Sequence, residues 1–361
     1  MTQTLTAIQS EALAHVMQAA RAQIPATDAR LKELLERSRC DSSLLMSALQ
    51  RVQEAARVVV HFHPDRLDAR GITVAESLLQ SGLYRNQFET GLSNGGLTAF
   101  RGGMRDVWEL GLFGGVYQRP EVTPPDRPKY GALELLCYAD GASPRFGSCY
   151  FRLRHPVSHR CSFTNRDSYY NPDVFGTLSC FTPLLVSLCE EVEQKGRVLG
   201  MEGISVAQFL SRLSQLSYPP VAGSGAYGRT LDDYVEAQIH GSLVLEEDVE
   251  TLVADPAFRG TPVGTTLKQL CTRYSIVLDW HGGFRVLARD IPEAFRGAEV
   301  PLLAQFIAGD GFLDTAMLGR AAASLWHSPA DWSAFGTPAE CLQLLKKLWH
   351  ALAFYGQPLQ G

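Results

Sequence analysis

The chain has no apolar run of the ~18 residues that a membrane-spanning helix needs. It has no basic excess either: 33 Lys and Arg stand against 38 Asp and Glu, a net charge of −5. That balance excludes the polybasic surface of a nucleic-acid binder and the Lys/Arg cluster of a membrane-surface protein. No CxxC pair occurs among its eight cysteines, Cys40, Cys137, Cys149, Cys161, Cys180, Cys189, Cys271 and Cys341. A disulfide framework is not expected from so scattered a set in a chain of 361 residues, and the thiols read as reduced and partly buried. No repeat or low-complexity tract is visible. The first 20 residues lack the apolar segment of a secretory signal. Leu5, Ile8, Leu13, Val16, Met17 and Ala20 recur there at helical spacing instead, so folding in a cytosol is expected. Several signatures of chemistry are missing as well: no GxxxxGK[ST] loop, no GxSxG elbow, no HExxH helix. LFGGVY (112–117) is not a dinucleotide fingerprint, because no clear strand and helix flank it.

What remains is an ordinary core-forming composition, 45% hydrophobic and 20% charged. Periodicity and capping signals give helices at 4–22, 29–38 and 43–57, interrupted near Pro25 and restarted around Asp41-Ser42. Val58 to Phe62 is a short buried strand stopped by Pro64. Residues 73–82 are helical and end on Gly82. The glycine-rich stretch 85–120 carries too many aromatic and charged residues for a linker and reads as an ordered functional loop. Strands follow at 130–136, 147–153 and 160–164, helices at 181–195 and 205–215, and a strand at 231–241. An acidic-started helix is expected over 246–255, a hairpin over 275–288 and an amphipathic helix over 339–354. The class is α+β: a helical N-terminal region (1–57), a strand-rich domain (58–300) and a C-terminal helical segment packed on it (301–361).

Four segments and one strand concentrate reactive groups. In LDDYVEAQIHG (231–241), Tyr234, Glu236, Gln238 and His240 fall at every second position and so share one face of an extended chain. In VVVHFHPDR (58–66), His61, His63 and Asp65 alternate and could hold zinc or iron, or His63 could grip a ligand hydroxyl. LYRNQFETGLSNGG (83–96) offers Arg85 for a phosphate, Asn86, Gln87 and Thr90 for polar contacts, and Phe88 as a stacking face. GGMRDVWELGLFGGVY (102–117) carries Arg105, Trp108 and Glu109. FGSCYF (146–151) puts Ser148 and Tyr150 on one strand face.

This running order resembles that of ADP-ribosyltransferases. His63, Tyr150 and Glu236 follow the order of the polymerase-like branch, and Arg85, Ser148 and Glu236 that of the toxin-like branch. HFHPDR, YRNQFETGxSNGG, WExxLFGGxY, RPKYGAL, SPRFGSxY and VEAQxHG, spread over roughly residues 55–300, are similar to a bacterial family of CteC-like mono-ADP-ribosyltransferase effectors, long catalogued as a domain of unknown function. The resemblance implies a split β-sheet core, NAD as co-substrate, no metal, and transfer to a hydroxyl of a protein acceptor, with a threonine of ubiquitin as the family's target. It also implies synthesis in a bacterial cytoplasm with export by a specialised secretion system, and a monomer. Glu236 would stabilise the positive charge that grows on the sugar as nicotinamide leaves. Gln238 and His240 would hold ribose, acceptor or the Glu236 carboxylate. Arg85 would pair with the pyrophosphate, Phe88 or Phe113 would stack on a ring, and His63 would bond the adenosine ribose. Arg66, Asn86, Gln87, Thr90, Ser148 and Tyr150 complete the nucleotide contacts. The toxin-like pattern places its catalytic Glu second in a Glu/Gln-x-Glu pair, whereas this chain has Glu236-Ala-Gln238. Two rivals stand beside this reading: a metal-dependent hydrolase built on His61, His63 and Asp65, and a non-enzymatic module using the 85–117 segment to hold a partner protein.

Overall fold

The computed structural model describes residues 4–91, 98–218 and 226–359; the SNGG glycines at 93–96 lie outside them. Eight strands form the main sheet: β1 (Arg57–Phe62), β2 (Lys129–Glu134), β3 (Cys149–Leu153), β4 (Cys161–Thr164), β5 (Phe175–Thr177), β6 (Glu236–Ile239), β7 (Val249–Ala254) and β8 (Val277–Trp280). Their spatial order is β8-β7-β3-β1-β2-β6-β4-β5. All neighbours are antiparallel except β7 and β8, which run parallel. The split core that the resemblance implies is not what forms. β1 pairs with β2 on one side and β3 on the other, which joins both halves into one sheet.

The sheet has two unlike faces because its side chains alternate. One face presents Val58, Val60, Phe62, Leu133, Phe151, Phe163, Ala237 and Ile239, all buried in the main core. Helices α1 (Ala7–Ser38), α2 (Ser42–Ala55), α3 (Val74–Ser81), α5 (Thr182–Lys195), α6 (Val206–Ser214) and α7 (Pro262–Arg273) contribute to that core through residues such as Leu34, Leu49, Leu78, Leu185, Phe209 and Leu267. Each such side chain contributes about 1.5–3 kcal/mol by leaving water. The other face carries His61, Tyr130, Glu134, Tyr150, Arg152, Ser162, Thr164, Glu236 and Gln238, matched across the strands by register. It too is buried. Helix α4 (Met104–Phe113) and the segments 138–147 and 165–170 cover it. Helices α8 (Glu299–Ala308), α9 (Thr315–His327) and α10 (Pro338–Tyr355) build a second core together with Leu231 and residues from Phe284 onward. It meets the polar face where Trp349 Nε1 donates to the Pro144 carbonyl at 2.9 Å.

Several elements differ from the sequence expectation. α1 runs unbroken through Pro25. The proline removes one backbone bond, but the helix is pinned on both sides of it: Gln23 donates to the Asp173 carbonyl at 2.7 Å, and Arg37 pairs with Glu193 at 2.9 Å. Tertiary contact outweighs the local penalty. The 246–255 segment is helical only over Leu245–Asp248 and then becomes β7, deep in the sheet. Its acidic start caps a turn, with Asp248 accepting from the Val244 N–H at 2.8 Å, while the β-branched Val249, Thr251 and Val253 take the strand. Residues 275–288 do not form a hairpin. β8 pairs with β7 through the α7 crossover, and Arg285–Leu287 pairs with Phe312–Asp314. The 85–120 stretch is not one loop: it contains a turn of helix at Gln87–Thr90 and all of α4.

Candidate functional site

A cavity of about 540 Å³ opens between the end of β1, α3, the 83–90 segment and the inner side of α4. The sequence put six ligand contacts there that do border it: His63, Arg66, Arg85, Asn86, Gln87 and Thr90. Arg85 bonds Ser81 Oγ at 3.3 Å. Among the described residues neither Arg66 nor Arg85 makes a salt bridge, although Asp65 lies within electrostatic reach of Arg66. Asn86 is partly committed to the fold: its amide donates to the carbonyls of Pro124 at 2.7 Å and Arg127 at 3.1 Å. His63 packs edge-on against Trp349, with ring centroids 5.0 Å apart.

Four other expected ligand contacts are structural. Phe88 lies under the Arg127 guanidinium at 4.1 Å. Phe113 is fully buried against Tyr117 and His240. Ser148 is buried, and its carbonyl accepts from His281 at 2.7 Å. Tyr150 stacks on His61 at 4.9 Å and bonds the Ala139 carbonyl at 3.3 Å. None of these four borders the cavity. The face alternation places Tyr150 correctly, but the covering segments seal that part of the sheet.

Glu236, Gln238 and His240 do share a face, and they form one hydrogen-bonded row. Tyr117 Oη lies 2.7 Å from His240 Nδ1, and His240 Nε2 lies 3.1 Å from Ser162 Oγ. Ser162 donates to Gln238 Oε1 at 2.8 Å, and Gln238 Nε2 donates to Glu236 Oε1 at 3.0 Å. The backbone N–H of Ser168 donates to Glu236 Oε2 at 3.2 Å. The row closes without open ends, as a buried polar network must. It does not border the cavity. Two neighbours of Glu236 do: Arg105 and Asp167, each close enough to act on its charge. Burial raises the Glu236 carboxyl above its ordinary range and Asp167 raises it further, while Arg105 and the Gln238 bond pull it down. Asp167 accepts from Tyr234 Oη at 2.7 Å, so the fourth member of the alternating row also serves this corner.

Beside this corner lies a second buried charge cluster. Arg127 bridges Asp106 at 2.6 Å and Glu109 at 2.7 Å, and Tyr130 Oη donates to Glu109 at 3.1 Å. Arg105 stands with its guanidinium 4.3 Å from the Tyr130 ring centroid and 5.2 Å from that of Trp108. Sequence reasoning noted Arg105 and Glu109 without roles. It included Arg127 and Tyr130 only as part of RPKYGAL and Ser162 only as part of a strand, and it passed over Asp167 and Ser168, since nothing local distinguishes them.

His61 cannot serve the rival metal site in this arrangement. Its Nδ1 is bonded to the Gly147 carbonyl at 2.9 Å, and its Nε2 accepts from the Ser143 N–H at 3.3 Å. Among the described residues no three His, Cys, Asp or Glu side chains converge as a metal set, and no helix is long and apolar enough to cross a membrane.

Burial holds His240 neutral, with a pKa lowered to about 3, and Arg160 and Lys129 add to that effect. Unfolding returns the imidazole to an ordinary value near 6.5. The unfolded chain therefore binds a proton that the native chain refuses, and stability is lost as pH falls from about 6.5 toward 3. His240→Gln should remove that part of the acid sensitivity. We expect urea unfolding at pH 7 and pH 4.5 to show a smaller loss on acidification for the variant, by about 2–3 kcal/mol. Equal losses in both proteins would mean His240 titrates normally.

The chain belongs to the family described as protein of unknown function (DUF3626), whose pattern matches residues 57–355. The match starts at β1 and ends with α10, so it takes in the sheet, the cavity and the second core and leaves out α1 and α2. No curated protein matches the chain.

Proposed function

We propose that this protein transfers ADP-ribose from NAD to a hydroxyl side chain of a protein acceptor, a ubiquitin threonine being the first candidate, and releases nicotinamide. The observation that carries the reading is the cavity itself. It is large enough for most of a dinucleotide, three arginines that make no salt bridge among the described residues border it (Arg66, Arg85 and Arg105), and Asp167 borders it with the buried Glu236 carboxyl behind. The sheet is continuous rather than split, so support rests on the site and not on the frame.

In this reading Arg66 and Arg85 help hold the pyrophosphate. The ribose on the nicotinamide side seats beside Asp167, in front of Glu236. The bond between the ribose anomeric carbon and the pyridine nitrogen breaks with its electron pair leaving on nicotinamide. Positive charge develops on the sugar ring, and the Glu236–Asp167 carboxyl pair stabilises it in surroundings of low dielectric constant. The acceptor oxygen then bonds the anomeric carbon, and its proton passes to the carboxyl pair.

The test is incubation with NAD and ubiquitin, reading nicotinamide release and the intact mass of the acceptor. We expect both signals. Absence of NAD binding and of nicotinamide release, with ubiquitin and with a eukaryotic lysate, would refute the proposal. Arg85→Ala should weaken NAD binding roughly ten- to a hundredfold, the worth of one charged hydrogen-bonding group. Unchanged affinity by calorimetry would move the phosphates away from Arg85.

A further inference from the structure

Among the described residues, Arg105 is a polar side chain on the cavity that its surroundings leave partly unpaired. It borders the cavity, yet its Nε and Nη1 lie buried with no hydrogen-bond partner. Its neighbours in the second charge cluster are fully used: Arg127 holds Asp106 and Glu109, and Glu109 also accepts from Tyr130. Arg105 instead rests on the faces of Tyr130 and Trp108. These contacts fix the plane of the guanidinium and include a polar contact with Tyr130, but they leave Nε and Nη1 without an acceptor. A buried donor without an acceptor is costly, so such a group is retained where something else completes it.

We infer that Arg105 is the anion-binding residue at the inner end of the cavity, and that a phosphoryl group of a bound nucleotide completes its hydrogen bonds. The choice of a phosphate-bearing ligand rests on the reading of the cavity as a nucleotide site; the anion preference follows from Arg105 alone. The ligand's oxygens accept what the protein leaves unpaired, after a turn of the guanidinium about its last torsions. Arg66 and Arg85 on the same cavity supply further positive charge for a second phosphate. The rings of Tyr130 and Trp108 keep the cation in place when the cavity is vacated. Arg105 also links ligand to carboxyl, because the same cation acts on Glu236. An anion seated on Arg105 offsets part of that cation's field, so ligand binding and the charge of Glu236 are coupled.

Calorimetry with inorganic phosphate, pyrophosphate and ADP-ribose, on the full chain and on Arg105→Gln and Arg105→Lys, tests this. The wild-type protein should bind pyrophosphate and ADP-ribose, and free phosphate more weakly. Arg105→Gln should lose at least tenfold in affinity for each, with Arg105→Lys between the two, since lysine keeps the charge but not the fork. Thermal unfolding without ligand reports whether each variant folds; if the glutamine variant does not, the lysine variant decides. Wild-type affinity in a folded Arg105→Gln protein overturns the inference, as does a wild-type protein that binds none of the three. Arg105-dependent pyrophosphate binding without any NAD turnover upholds Arg105 and removes the transferase reading. NAD turnover that survives intact in Arg105→Gln does the reverse.

Discussion

Glu236→Gln should cut nicotinamide release from NAD by a factor on the order of 10²–10³, the usual effect of losing one group that stabilises transition-state charge. NAD affinity should change much less than the rate, because Arg66, Arg85 and Arg105, which hold the phosphates, stay in place. The substitution keeps the side-chain volume. It places an amide where a carboxylate now accepts from Gln238 and from the Ser168 N–H. One of those donors will face the new NH₂, a cost of about 1–3 kcal/mol that a domain of ordinary stability survives. The pH profile separates chemistry from damage. Only the ionised carboxyl can stabilise a cation, and burial raises its pKa. The wild-type rate should therefore climb with pH as Glu236 loses its proton, and the variant should lack that limb. A glutamine variant within threefold of wild type, measured at saturating NAD, would remove Glu236 from the mechanism.

Arg127→Met should be the most destabilising single change near the site, by about 3–5 kcal/mol, as expected when one partner of a buried ion pair is removed. Arg127 is 5% exposed and Glu109 is fully buried, so no water replaces the lost bonds. Methionine fills part of the space over Phe88 but leaves the Asp106 and Glu109 carboxylates without their cation. Burial already pushes Glu109 up to about 7 against the downward pull of Arg127. Without that pull the folded-state value rises further. A carboxyl whose folded pKa exceeds its unfolded value holds its proton in the native state, and stability falls as pH rises through that range. The deficit of Arg127→Met relative to wild type should thus be larger at pH 8.5 than at pH 5 in urea unfolding. A deficit under 1 kcal/mol, or one of equal size at both pH values, would show that the cluster is solvated and not buried.

Period-two alternation identified the row Tyr234, Glu236, Gln238 and His240, because one face of an extended segment is a local property. It did not show that the row lies under cover. Part of the cover is α4, which hid from sequence reading because its amphipathicity is inverted over its first two turns, before Leu112 and Phe113 turn inward. Arg105, Asp106 and Glu109 turn inward, whereas Met104 (53% exposed), Val107 (51%) and Leu110 (49%) face outward. A pattern scan looks for apolar residues on the buried side and finds the reverse here. Gly-Gly at 102–103 and 114–115 then makes the segment look like a loop. The error over 246–255 has a similar origin: three acidic residues suit a helix start, and the strand that follows is specified by its neighbours β3 and β8. Arg66 and Arg85 were legible as ligand-binding cations because each stands just beyond a strand or helix end, although Asp65 adjoins Arg66 and Glu89 lies four positions past Arg85. Asp167 and Ser168, 68 to 69 positions before Glu236, could not be assigned to it without the fold.

By itself the sequence determined the α+β class, the unequal faces of the central strands and the chemical kinds of group that meet there, because alternation, capping and composition act over a few residues. Tertiary structure alone decided that the eight strands join into one sheet, that the polar face is covered in part by an inverted helix, and that Glu236 sits behind Arg105 and Asp167 instead of on the cavity. Those outcomes depend on contacts between residues far apart in the chain. Their free energy comes from burying charges together, and no short stretch records which charges will be neighbours.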